Sequence, residues 1–199
     1  MKKLIFLTIA LVFATTSFSQ KKAKAKKSVK SAITLANATN VIFEMNKKNG
    51  RTQLYLLLGS ANDTLLIKSV PESLTILPLS CKLKPFISGG TALLNITWTE
   101  TSSTGDVKTK LENATKINNE IWDTTSRTQA FSNTQIATNI KEIVYLDRLK
   151  NASETQEKNR KEGFEFMLQI NGDVTLLNKA VTNIMTYNTV DKKYKIKKR

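Results

Sequence analysis

Residues 41–58 constrain the fold of this chain more than any other stretch. They read VIFEMNKKNGRTQLYLLL, two apolar runs on either side of Asn49-Gly50. Asn-Gly between such runs is the strongest short-range signal for a β-hairpin, because a type I′ turn needs positive φ at both central residues. The predicted register pairs Lys48 with Arg51, Met45 with Leu54, Phe43 with Leu56 and Val41 with Leu58. The apolar pairs then share one face, as the two-residue period of a strand requires, which indicates a sheet protein.

A second hairpin is predicted between residues 91–101 and 107–112. In the first of these segments Ala92, Leu94, Ile96 and Trp98 point one way and polar side chains mostly point the other. This alternation is typical of a half-buried strand. The segment at 74–83 is also apolar but contains Pro78, and proline cannot donate to a ladder. We therefore expect an edge strand or a bulged strand there.

A third hairpin is predicted at residues 164–178, FEFMLQINGDVTLLN. Phe164, Phe166, Leu168 and Ile170 share one face of its first strand. Two turns fit the pattern. A two-residue turn at Asn171-Gly172 pairs Phe166 with Leu177, whereas a three-residue turn that includes Asp173 pairs Leu168 with Leu176.

Together these segments predict an all-β fold. About ten to twelve short strands, with turns every 8–12 residues, favour an antiparallel β-sandwich or an up-and-down, calycin-like barrel. The charged, apolar-poor run at 149–162, LKNASETQEKNRKE, is the exception. It predicts at most one short helix near 150–162, which Gly163 would end, or else a mobile loop.

The ends of the chain differ from its body. Residues 1–19 carry Lys2, Lys3, an apolar run and small residues before Gln20, the pattern of a bacterial secretory signal peptide. We expect residues 20–32 to form a basic disordered linker, 33–191 a single all-β domain, and 192–199 a basic edge strand or tail. The protein is therefore predicted to be exported to the periplasm, the outer surface or the medium.

The net charge of +15 is concentrated in those ends, since residues 31–191 hold 17 basic and 16 acidic side chains. Basic tails are usually solvated, but they also bind anionic surfaces in a salt-sensitive way. We expect no specific binding of nucleic acid. The candidate contacts with an anionic surface are Lys21, Lys22, Lys24, Lys26, Lys27, Lys197, Lys198 and Arg199.

The residue types argue against most enzyme chemistry. The chain has no histidine, which excludes Ser/His/Asp and Cys/His systems and nearly all zinc or copper sites. It has no nucleotide-binding loop, and we predict no cofactor, no metal and no catalytic residue. A carboxylate-only hydrolase stays open, because it needs only two carboxylates about 5–9 Å apart. The candidate pairs are Glu120 with Asp123 and Glu142 with Asp147.

Other side chains favour binding or packing. Trp98 and Trp122 are candidates for stacking on a sugar or a partner, with core packing as the alternative. The many Thr and Asn residues between positions 96 and 139 predict either a polar sheet face that recognises glycans or a plain exposed face of β-formers. Cys81, the only cysteine, lies in an apolar context that favours a buried, inert thiol over a reactive one.

Residues 166–188, with an Asn-Gly turn, Val174-Thr175-Leu176 and Thr186-Tyr187-Asn188, resemble strand pairs of small lipocalin-like secreted bacterial domains. The main prediction is an exported, non-enzymatic interaction domain of the cell envelope that binds a protein or a glycan. The first alternative is a lipocalin-like carrier of a small apolar ligand, with Phe43, Leu56, Phe166 and Leu168 lining an open interior. The second is the carboxylate hydrolase.

Overall fold

The computed structural model describes residues 32–59 and 63–197. Within these ranges the chain forms thirteen strands, and no helix there is long and apolar enough to cross a membrane. The strands are β1 (Ile33–Ala38), β2 (Val41–Lys48), β3 (Arg51–Leu58), β4 (Asp63–Pro71), β5 (Thr75–Ser88), β6 (Thr91–Asp106), β7 (Lys110–Asp123), β8 (Thr128–Tyr145), β9 (Ser153–Glu162), β10 (Glu165–Leu168), β11 (Val174–Leu177), β12 (Thr182–Asn188) and β13 (Lys193–Ile196).

The strands form three antiparallel sheets, which confirms the all-β prediction. The first sheet has the order β1-β2-β3-β4, the second β5-β6-β7-β8-β9 and the third β10-β11-β12-β13. Each order follows the sequence, so neighbouring strands are joined by simple turns. Every sheet is open at both ends, and the arrangement is consistent with a sandwich and not with the barrel alternative. The predicted signal peptide, and all of the predicted linker except Ala32, lie outside the described residues.

The first hairpin forms as predicted. Strands β2 and β3 pair Lys48 with Arg51, and the apolar pairs follow in the expected register up to Val41 with Leu58. Asn49 and Gly50 have φ values of 53° and 69°, the positive values that a type I′ turn requires. Local turn chemistry therefore determines this register.

The second sheet has fewer and longer strands than the sequence pattern predicts. The segments at 128–136 and 140–146 predict two separate strands, but residues 128–145 are the single strand β8; the return strand of the second hairpin begins at Lys110. Strand β6 is buried on both faces over residues 93–96, not on one. The reason is that the other two sheets pack on opposite sides of it.

The prediction of a helix or mobile loop at 149–162 is wrong. Residues 153–162 form strand β9, which pairs with β8 from Ile136–Glu162 to Tyr145–Ser153. The strand is almost wholly exposed, so it needs no apolar stripe. The backbone ladder with β8 holds it in place, and exposed charged pairs such as Lys141–Glu157 lie across the two strands. Charged edge strands also resist unwanted pairing with other chains.

Neither predicted turn of the third hairpin forms. Strands β10 and β11 pair Phe166 with Leu176 and Leu168 with Val174, which leaves a five-residue loop at 169–173. Asn171 Oδ1 accepts the Asp173 amide, and the Tyr194 hydroxyl donates to the Gly172 carbonyl at 2.7 Å. A side chain at Gly172 would meet the Ser88 Cβ at 2.6 Å. The loop length is thus set by contacts with distant segments, and Ile170 is exposed in it instead of sharing the apolar face.

Two separate hydrophobic cores lie on the two faces of the second sheet. The first joins sheets one and two and contains Phe43, Leu56 and Trp98. The second joins sheets two and three and contains Leu93, Ile121 and Val174, with Phe166 and Leu168 packed against it. The side chains expected to line one open interior are therefore divided between two cores.

Strand β5 is both an edge strand and a bulged one, as Pro78 predicts. Its register with β6 shifts between Leu77 and Lys82, so residues 78–81 loop out of the ladder. Cys81 turns inward from this bulge and is buried in the first core. Burial raises the pKa of its thiol to about 11, which keeps it protonated and unreactive at neutral pH.

Candidate binding surface

Trp98 belongs to the core and not to an exposed surface. Its ring is fully buried, with its centroid 6.3 Å from that of Phe43. The indole Nε1 donates to Glu100 Oε1 at 2.8 Å, and Lys68 Nζ binds the same oxygen at 2.8 Å while lying over the Trp98 ring. The stacking role considered for this tryptophan is therefore not available.

Trp122 is half-buried against the same core. Its Nε1 donates to Glu120 Oε2 at 2.8 Å. Burial raises the pKa of Glu120 above its ordinary value of 4.5, against the opposing effects of the bonds from Trp122 and Gln129 and of the charge of Lys68. Both tryptophans thus serve as donors to buried carboxylates, and the Trp122 ring, unlike that of Trp98, stays partly exposed.

The carboxylates proposed as catalytic pairs do not come together. Glu120 and Asp123 are three residues apart on β7 and therefore point to opposite faces. Glu142 lies near Lys158 on the second sheet, and Asp147 accepts the Asn151 amide in the turn after β8.

Asp123 has a structural role in the turn after β7. Its pKa is raised by burial, but bonds from the Ser126 hydroxyl and from the Ser126 and Thr125 amides outweigh this and hold it below the ordinary value of 3.8. Lys192 Nζ lies 3.7 Å from Asp123 Oδ2, on the side of the third sheet. These bonds make Asp123 a turn-capping residue.

Sequence reasoning missed the most deeply buried carboxylate, Glu100. Its side chain is 2% exposed, and it lies on the same face as Leu94, Ile96 and Trp98. The signal was present, because Glu100 continues the apolar alternation of that strand at the next inward position. Asn118, cross-strand from Trp98, is also buried, and its Nδ2 has no partner among the described residues.

Of the basic residues predicted to contact an anionic surface, one lies within the described residues. Lys197 is exposed, and its Nζ lies 3.4 Å from Asp173 Oδ2. Lys21, Lys22, Lys24, Lys26, Lys27, Lys198 and Arg199 lie outside the described residues.

The second sheet extends beyond both cores, and there one of its faces carries a group of uncharged polar side chains. The same face also holds the apolar Leu111 and Ile117 and the ion pair Lys141–Glu157. The register aligns Ser103, Asn113, Asn139 and Asn159 in one cross-strand row. Directly opposite residues point to the same side of a sheet, which is here the side of the third sheet. We call this set of polar residues the neutral face. Its members are Thr99, Thr101, Ser103, Asn113, Thr115, Gln135, Asn139 and Asn159, all exposed or half-buried.

The other side of the same strands is charged. Three ion pairs lie there: Lys110–Glu112 at 2.8 Å, Lys158–Glu142 at 3.9 Å and Arg160–Glu162 at 2.8 Å. We call this surface the charged face. On the neutral face two side-chain hydrogen bonds occur among the described residues: Asn139 Nδ2 donates to Asn159 Oδ1 at 3.0 Å, and the Thr101 hydroxyl donates to the Thr75 carbonyl at 3.5 Å.

A cleft of about 560 Å³ borders the neutral face where the chain leaves the second sheet for the third. Gly163 makes this passage possible: its φ is 81°, and a side chain there would come within 2.3 Å of the Thr134 carbonyl oxygen. Asn133 Nδ2 fixes the crossing by donating to the Phe164 carbonyl at 2.9 Å. The cleft is lined by Gln135, Lys161, Glu162, Gly163, Glu165, Leu177, Asn178, Lys179 and Ala180.

The described residues thus define an all-β, sandwich-like protein with an uncovered polar sheet face and an adjoining cleft. No group of three or more metal-ligating side chains occurs in residues 32–59 and 63–197. Comparison with known proteins finds no family model, curated protein or solved structure that matches the chain.

Proposed function

We propose that this chain is an exported, non-enzymatic binding domain of the cell envelope, and that its target is a glycan. The neutral face is the observation that carries this proposal. Side-chain amides and hydroxyl groups each offer donors and acceptors, as sugar hydroxyls do. A surface of this kind binds a neutral polar ligand without the cost of desolvating an ion.

The geometry of the face suits a repeating ligand. Neighbouring strands lie about 4.8 Å apart, and alternate residues along one strand are about 6.7 Å apart. One row, Ser103, Asn113, Asn139 and Asn159, runs from β6 to β9, and Thr101 and Thr115 add a second row over β6 and β7. Together they form a regular grid of hydrogen-bonding groups. A polysaccharide, which repeats its hydroxyl groups along its length, can occupy many points of such a grid at once.

The other polar groups favour binding over catalysis. Glu100 and Glu120 are buried and bonded to tryptophans, and Asp123 caps a turn. Each carboxylate is held by a bond that stabilises the fold, and none of the pairs considered from the sequence flanks a cleft. The carrier alternative has less support, because its expected lining residues lie in two filled cores.

The test compares two matched variants in binding to a panel of neutral and acidic polysaccharides by affinity electrophoresis. Asn113, Asn139 and Asn159 are changed to Ala on the neutral face. The control changes Ser102, Thr104 and Gln156 to Ala on the opposite side of the same sheet. We expect at least one polysaccharide to retard the wild-type and control proteins but not the triple asparagine variant. Absence of retardation by the whole panel, or equal retardation of all three proteins, would contradict the proposal.

Export is tested separately. Expressed from its full gene in a bacterial host, the protein should be recovered outside the cytoplasm with an N-terminus at Gln20. N-terminal sequencing of the fractionated protein checks this. Recovery of the intact chain from the cytoplasm would show that residues 1–19 do not act as a signal.

A further inference from the structure

We propose that the cleft beside the neutral face binds a sugar carboxylate, so that the glycan target contains uronic acid units. This inference rests on the proposed glycan-binding function and names the chemical class of the ligand. It concerns a part of the surface outside the row of Asn113, Asn139 and Asn159.

The charged residues of the cleft are the first argument for an anionic ligand. Four charged residues line it, and one of them, Glu162, is already bound to Arg160 at 2.8 Å. Lys161 and Lys179 have no carboxylate within 4.0 Å among the described residues. Apart from Glu162, which is paired with Arg160, the lining holds one carboxylate, that of Glu165. The cleft is therefore left with a positive charge that an anionic group of the ligand can compensate.

The position of Lys161 connects the cleft to the neutral face. Lys161 lies directly opposite Ala137, which lies opposite Thr115, in the cross-strand row next to that of Asn113, Asn139 and Asn159. Gln135 belongs to both the neutral face and the cleft lining. A polymer lying along the neutral face would therefore bring one of its units directly to Lys161.

Lys179 approaches the cleft from an ordered turn in the third sheet. Asn178 Oδ1 accepts the Ala180 amide at 2.9 Å and the Val181 amide at 2.7 Å, which fixes the backbone on both sides of Lys179. Leu177 and Ala180 add an apolar wall suited to the C–H groups of a sugar ring. The cleft thus combines two cations, an amide and an apolar wall, which are the parts that a hexuronate needs.

The experiment uses two probes that differ only in the carboxylate: polygalacturonate and its fully methyl-esterified form. We expect the wild-type protein to bind polygalacturonate at least about tenfold more tightly than the ester, because charge-assisted hydrogen bonds are roughly twice as strong as neutral ones. The variant in which Lys161 and Lys179 are changed to Gln should lose this preference. The control, in which Lys47 and Lys48 are changed to Gln at the tip of the first hairpin, removes the same charge elsewhere and should keep it.

Each outcome is informative. Equal binding of acid and ester would overturn the inference while leaving the proposed glycan function intact. Equal loss of binding in both lysine variants would also overturn it, because it would show general attraction between a basic protein and a polyanion. If the asparagine triple variant binds every polysaccharide as the wild type does, the proposed function fails as well.

Discussion

The two faces of the second sheet differ in the charge and in the hydrogen-bond partners of their polar side chains. On the side of the first sheet, charged groups are buried and each has a dedicated partner: Glu100 binds Lys68 and Trp98, and Glu120 binds Trp122. On the side of the third sheet, most polar groups over the same strands are uncharged, such as Thr97, which donates to Asn119 at 2.8 Å.

The difference continues where the sheet leaves both cores. In this region of the described chain the charged face holds three ion pairs, whereas the same side of the sheet as the neutral face holds one, Lys141–Glu157. The side-chain hydrogen bonds found for the neutral face itself are those of Asn139 with Asn159 and of Thr101 with the Thr75 carbonyl. Side chains at a partly exposed surface that have no protein partner can exchange water for hydrogen bonds with a polar ligand. The buried charges of the first face contribute to stability, and the proposed glycan binding belongs to the other face.

The largest expected effect is on the first face. Changing Trp98 to Ala should lower the free energy of unfolding by about 4 kcal/mol, because it leaves a cavity in the first core and removes a donor from buried Glu100. Urea unfolding measures this loss. Changing Asn139 to Ala on the neutral face serves as the contrast and should cost less than about 1 kcal/mol; a similar loss in both variants would remove the distinction between the faces.

A smaller effect on the free energy of unfolding is expected from removing Lys68, the cation paired with buried Glu100. Changing Lys68 to Met should cost about 2 kcal/mol, because it leaves the buried carboxylate without its cation; the partial exposure of Lys68 limits the loss. Adding Glu100→Gln keeps an acceptor for Trp98 and removes the charge, so the double variant should recover most of the stability. A double-mutant cycle by urea unfolding checks this, and a double variant less stable than Lys68→Met would contradict it.

Stability should depend on pH in opposite directions for one carboxyl group on each face, Glu120 and Asp123. The pKa of Glu120 is raised in the folded protein, so its contribution to stability is present below 4.5 and is lost as the pH rises through the folded pKa. The pKa of Asp123 is lowered, so its contribution is present above 3.8 and is lost as the pH falls through the folded pKa.

Urea unfolding from about pH 3 to about pH 7 separates these two contributions. Relative to wild type, Glu120→Gln should gain stability as the pH rises, and Asp123→Asn should gain stability as the pH falls. Curves that stay parallel to wild type for both variants would show that neither carboxyl group titrates differently in the folded and unfolded protein.

The sequence predicts what local signals determine. The Asn49-Gly50 turn defines a register over eight residue pairs because the turn conformation and the apolar pattern agree. The loop at 169–173 was not predictable in this way, because Tyr194 and Ser88 contribute to its conformation from distant positions. Strand β9 was missed because it buries almost nothing, and an apolar pattern is the main signal by which a strand is recognised in a sequence.

The candidate surface shows the same limit. The abundance of Thr and Asn was visible in the sequence, but their common face depends on the register of four strands. Glu100 was overlooked, although its place in the alternation of β6 marks it as inward-facing. The cleft could not be predicted from the sequence, because part of its lining comes from the third sheet. The position of that sheet depends on packing, which no sequence motif indicates.

The smallest expected effect tests whether exposed charges distinguish the faces at all. Changing Glu157 to Gln breaks the pair with Lys141 on the side of the neutral face, and changing Glu112 to Gln breaks the pair with Lys110 on the charged face. Exposed ion pairs contribute little, so each change should alter the free energy of unfolding by about 0.5 kcal/mol or less. If one variant loses several times more than the other, the faces differ in stability as well as in what they offer a ligand. If both losses are small, exposed ion pairs do not distinguish the two faces in stability.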